Sequence, residues 1–227
     1  MLPGLISLLL FLTEFSFLLV IIIKRANHPQ FLWIVLLMVF LQLYQLMEFF
    51  MCIGIDPNII GRMGLVSITF LPPLGVLLTS YVTNLKHWIN YSGILFGLSL
   101  SIYYVIVPNA FTLQTCNVFY AVYNYKLGNL YGVFYFGYIL WAFVLISITF
   151  FRSFRKREKI SNKNTILVLL GYLSFLIPMA LTIVIHPSTA IAALESIMCK
   201  YAILLAIILL IFTFQHRNQD KIENRKK

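Results

Sequence analysis

Seven apolar runs of about 20 residues each divide this 227-residue chain. That length is what a helix needs to cross the hydrocarbon core of a bilayer. The runs lie near 4–23, 31–53, 63–83, 92–108, 129–151, 165–186 and 188–213. They are continuous, whereas the strands of a membrane barrel alternate apolar and polar residues in shorter segments, so helices are predicted. Composition agrees: 61% of residues are hydrophobic and 11% charged, against roughly 45–50% and 25% in a soluble globular chain. A soluble domain, a disordered chain and a disulfide framework are excluded. The predicted fold class is all-α: a polytopic membrane protein with seven transmembrane helices. Residues 1–215 form the transmembrane domain and 216–227 a basic cytoplasmic tail.

The charges orient the helices. Lys24 and Arg25 follow the first run and Lys86 the third. Arg152, Arg155, Lys156, Arg157, Lys159 and Lys163 follow the fifth, and Arg217, Lys221, Arg225, Lys226 and Lys227 the seventh. With seven spans, 14 of the 17 basic residues share one side. The positive-inside rule then places the N-terminus outside and the C-terminus in the cytoplasm. Arg62 and Lys126 fall on the other side, and Lys200 inside a span. No basic residue precedes the first run, so it reads as a retained helix rather than a signal peptide. The basic loop and tail suit anionic head groups, which makes the lipid bilayer the expected partner. Nucleic acid is not expected, since neither segment comes with a folded domain.

Subtracting those charges leaves Glu14, Glu48, Glu195 and Lys200 inside the spans. Each costs roughly 2.5–3.5 kcal/mol at a bilayer centre, about 10 kcal/mol in all. They therefore need a bundle interior and mutual partners. On the second span Gln42, Gln45 and Glu48 recur at every third residue, a polar stripe of about 120°. On the seventh, Glu195, Ser196, Cys199 and Lys200 share a broader arc. Glu14 lies on the first, with Ser7 one heptad before it. The predicted ligand- or ion-binding cluster joins spans one, two and seven through Glu14, Gln42, Gln45, Glu48, Glu195 and Lys200. Glu195 is the expected partner of Lys200. Such a cluster serves either a proton, an ion or a small polar solute, or a structural network that glues helices together.

Other features carry less. Pro72-Pro73 removes two backbone donors from the third span and predicts a break there, in either a cavity-lining helix or a packing kink. Pro178 does a milder version in the sixth. Tyr131, Tyr135, Tyr138 and Trp141 form one stripe on the fifth, suited to packing or to the wall of an apolar ligand pocket. The outer connection 109–128 is rich in Phe and Tyr and is read as an aromatic loop on the membrane surface or capping the bundle. Cys52 and Cys116 both map to that outer side, where an oxidising compartment permits pairing. Cys199 reads as a small apolar residue.

Lys200 in the seventh span invites comparison with retinal Schiff-base proteins. The nearest acid on its helix is five residues back, and Gly64–Val82 in the third span contains none. No cofactor is expected. His28, His87, His186 and His216 cannot converge on a metal. There is no G-x-S-x-G motif, no paired-aspartate motif, and no His base near a Ser or Cys nucleophile. An enzyme has no specific support.

Gln45-Leu46-Met47-Glu48, followed by Ile53-Gly54-Ile55, resembles the second helix of a family of uncharacterised bacterial seven-helix membrane proteins. That family shows Q-L-x-E-G-x-x-W there. Ser196-Ile197-Met198-Cys199 resembles its seventh-helix S-V-W-C. Phe49 stands where the family has Gly and Cys52 where it has Trp, and Lys200 occupies a position expected to be aromatic. The resemblance implies a multi-pass protein of a bacterial inner membrane with Gln45 and Glu48 as the shared feature, and implies no reaction.

Three functions fit these residues: binding or translocation of a small solute, ion or proton; a seven-helix receptor for a small ligand; and a membrane-embedded lipid-modifying enzyme. The buried acids favour the first.

Overall fold

A computed structural model describes residues 4–24, 30–85, 88–118, 120–156, 159–185 and 187–224. Of the residues named above, Arg25, His28, Lys86, His87, Arg157, His186, Arg225, Lys226 and Lys227 lie outside these, as do the side chains of Lys156, Lys159, Lys163, His216, Arg217 and Lys221. Eight helices and one hairpin follow in order: α1 (Leu5–Ile23), α2 (Gln30–Cys52), α3 (Pro57–Thr69), α4 (Leu71–Thr83), α5 (Trp88–Ile106), β1 (Phe111–Cys116), β2 (Ala121–Tyr125), α6 (Gly128–Lys156), α7 (Lys159–Ile185) and α8 (Pro187–Asn224). With α3 and α4 counted as one span, Pro57–Thr83, seven are long and apolar enough to cross a membrane. Large apolar side chains project outward along them, among them Leu95, Val133 and Ile185.

The third span starts six residues before the apolar run does. Asp56 accepts a hydrogen bond from the Ile59 N–H at 3.2 Å and Pro57 occupies the first turn, so the helix is capped there. Apolarity alone hides this, because Asn58 and Arg62 interrupt the run. The span breaks at Phe70. Pro72 and Pro73 have no N–H for the carbonyls one turn earlier. The Thr69 hydroxyl turns back to the Leu65 carbonyl at 2.6 Å.

The connection after α5, expected as an aromatic loop on the membrane surface or capping the bundle, has regular structure. It is an antiparallel hairpin, with Phe111 opposite Tyr125 and Cys116 opposite Ala121, and an irregularity between Leu113 and Thr115. The period-2 placement of Ala121, Tyr123 and Tyr125 is the reason: alternate residues of a strand share a face, and that face packs on the bundle. β1 rests on α3 and β2 on α8.

Buried apolar side chains gather in two main clusters. One lies beneath the hairpin around Tyr44, Tyr104, Phe111, Tyr131 and Met198. The other lies toward the opposite end around Ile21, Met38, Ile146 and Phe212. α2 runs through both and touches α1, α3, α4 and α8, so its polar stripe is enclosed on every side.

Candidate functional site

The stripe on α2 meets α1 and α8 where the spacing predicted. Gln42, Gln45, Glu48, Glu14, Glu195 and Lys200 are all buried, with Glu14 and Gln45 fully so. Their grouping places the polar faces of three helices at one seam.

Lys200 is the centre. Its ammonium donates to Glu48 Oε1 at 2.6 Å, to Ser7 Oγ at 2.6 Å and to Gln45 Oε1 at 3.0 Å. An ammonium has three protons, so these partners use all of them. The Ser7 hydroxyl in turn donates to Glu48 Oε1 at 2.9 Å, which closes a ring of Lys200, Ser7 and Glu48. Gln45 donates from its amide to the Cys199 carbonyl at 2.7 Å. This fixes the level of α2 against α8. Gln42 donates to the backbone carbonyl of Glu14 at 2.8 Å and does the same for α2 against α1.

Lys200 pairs with Glu48, not with Glu195. Five residues along a helix is about 140° of rotation past a full turn, which turns Glu195 away from Lys200. Glu195 instead bonds the Tyr125 phenol of β2, and neighbouring Ser196 accepts from the Ala121 N–H at 3.0 Å. The six predicted residues thus form one ring with flanking groups rather than a single ligand shell.

Polar satisfaction fails furthest at Glu14. Neither carboxylate oxygen has a hydrogen-bond partner among the described residues, and the side chain is 0% exposed. Lys200 is within its electrostatic reach, but the protons of that ammonium are already committed. Glu48 Oε2 and Glu195 Oε2 are also unpartnered. The seam therefore offers more acceptor oxygens than donors.

Sequence reasoning missed the shell toward the hairpin. The Tyr44 and Tyr123 hydroxyls meet at 3.1 Å, and the Tyr125 ring stacks on Tyr131 with centroids 5.3 Å apart. The alternating Tyr of 121–125 was the available signal. Burial, and then the nearby acids Glu48 and Glu195, push the Tyr123 and Tyr125 phenols well above their ordinary range. Both therefore remain hydrogen-bond donors at neutral pH.

A cavity of about 70 Å³ lies beside the seam, with Leu41, Pro72, Gly75, Tyr135, Tyr172 and Cys199 among its walls. Pro72 is on this wall, while Pro72 and Pro73 are both buried. Of the aromatic stripe on α6, Tyr135 reaches the cavity. Tyr138 bonds Ser92 at 2.9 Å and Trp141 donates to Asn90 at 3.0 Å, so these two tie α6 to α5. Cys52 and Cys116 are joined as a disulfide, with Cα atoms 5.5 Å apart. No protein-family model matches the chain, and no curated protein does.

Proposed function

We propose that this is a multi-pass protein of a bacterial inner membrane that binds and translocates a small cation, foremost the proton, at the Ser7–Gln45–Glu48–Lys200 ring and the adjoining Glu14. The surplus of acceptor oxygens carries this reading. Of the three carboxyl groups, Glu48 alone pairs with the Lys200 ammonium among the described residues, and Glu14 has both oxygens unused. A buried carboxylate without a partner is costly, and protons or a small cation supply what the side chains do not. A purely structural network would be expected to satisfy its own members. The 14 basic residues that the threading puts on one side support an orientation with the hairpin outside and the C-terminus in the cytoplasm. On this reading the ring lies in the outer half of the membrane and Glu14 deeper, one heptad further along α1.

The test is proton flux into liposomes containing the purified chain, read with a trapped pH-sensitive dye under an imposed gradient. Glu48→Gln keeps the shape of the side chain and removes its charge. It should lower the flux at least about tenfold in protein that still folds, its stability reduced by the stranded Lys200 charge. Flux equal to that of the unaltered protein overturns the proposal.

A further inference from the structure

The hairpin packs against residues that flank the Lys200 ring. β2 lies across α8 at Glu195 and Ser196, and Tyr123 reaches Tyr44 on α2, one turn before Glu48. Glu48 is within electrostatic reach of both phenols. Cys199, next to Lys200, is 2% exposed and belongs to the same packed cluster as Ala121 and Tyr123.

The hairpin is held differently at its two ends. At its base the Lys126 N–H donates to the Ala110 carbonyl at 3.0 Å. Phe111 fills the space over Gly61 on α3, where a side chain would collide with its ring. At its tip stands Cys116, tied to Cys52, four residues beyond Glu48 on α2. Gly4 rests on this tie. Its N–H points to the Asn117 carbonyl at 3.4 Å, its φ is +74°, and a Cβ there would lie 2.9 Å from that of Cys52. Three residues later comes Ser7, a member of the ring. The disulfide thus clamps together the hairpin tip, the end of α2 and the start of α1, the last two of which contribute Glu48 and Ser7.

We propose that the β1–β2 hairpin is a lid hinged at its base over the Lys200 ring, with the Cys52–Cys116 disulfide as its latch. This rests on the reading of that ring as a binding site. Opening is a two-electron exchange. A thiolate of a dithiol attacks one sulfur, the S–S bond breaks, and a mixed disulfide forms. The second thiol of the reagent closes it into a cyclic disulfide. Two electrons and two protons pass to the protein, leaving two cysteine thiols.

Cys199 reports lid position without any need for transport. The full-length protein in detergent is treated with a small charged thiosulfonate, and the label on the Cys199 peptide is followed by mass spectrometry. Cys52→Ser/Cys116→Ser should label at Cys199 more than about fivefold faster than the oxidised protein. Folded protein reduced with a dithiol before labelling should behave the same, and it replaces the double variant if that does not fold. A smaller change in rate overturns the lid. Flux that survives Glu48→Gln, together with faster labelling, removes the transport reading and leaves the lid in place. The reverse pair of results does the opposite.

Discussion

Lys200 has three ammonium protons and three acceptors, from α1 and α2. Removing either charge therefore strands the other. Lys200→Met leaves Glu48 buried and uncompensated, and should cost about 3–5 kcal/mol. Glu48→Gln/Lys200→Met should recover most of that loss, because no charge is left without its partner. Unfolding in detergent for the two single variants and the double variant measures it, and additive losses would contradict the pairing. Glu195→Ala should leave the ring alone, since its contact is with Tyr125. Much of this was legible in the sequence. Gln42, Gln45 and Glu48 fall on one face by spacing alone, and a greasy helix has no other reason to carry them. The five-residue spacing turns Glu195 away from Lys200, but the approach of Glu48 was not legible. It depends on the level of α8 against α2, which Gln45 sets through a backbone carbonyl that no side-chain pattern reveals.

At the scale of elements, the helices were readable because their apolar runs approach membrane thickness, and their ends were not. Asp56 and Pro57 extend the third span by capping rather than apolarity. The hairpin escaped notice because strands of six and five residues are short against the aromatic background of the segment. Its docking depends on phenols that stay protonated. Folding raises the affinity of Tyr123 and Tyr125 for their protons above the ordinary value of 10. Their contribution is therefore fully present below about pH 10 and is lost as pH rises above it. The thermal midpoint should be insensitive to these groups up to pH 10 and fall beyond it. The fall should be shallower in Tyr123→Phe/Tyr125→Phe, and an equally steep fall in that variant would assign the alkaline loss elsewhere.

For the molecule as a whole, the net charge of +10 divides unevenly under the proposed orientation. With Arg62 counted at the outer end of its span, the cytoplasmic side has +11, the outer side +1, and the membrane interior −2 with every group ionised. The excess is about threading, and the deficit is what the ring and Glu14 must manage. A fluorescent protein fused at the C-terminus should mature in the cytoplasm, and alkaline phosphatase fused within 109–128 should be active outside. Opposite results at both sites would invert the orientation.

The void beside the seam has a mechanical consequence. Packed protein resists compression, and unfilled volume is where it yields. Here that volume is about 70 Å³, with Met198 and Cys199 on one wall. The same helix carries Lys200 in the next position. Squeezing the bundle, by hydrostatic pressure or by the lateral stress of the surrounding lipid, falls first on this soft spot, and the backbone it displaces is the one that holds the ammonium in place.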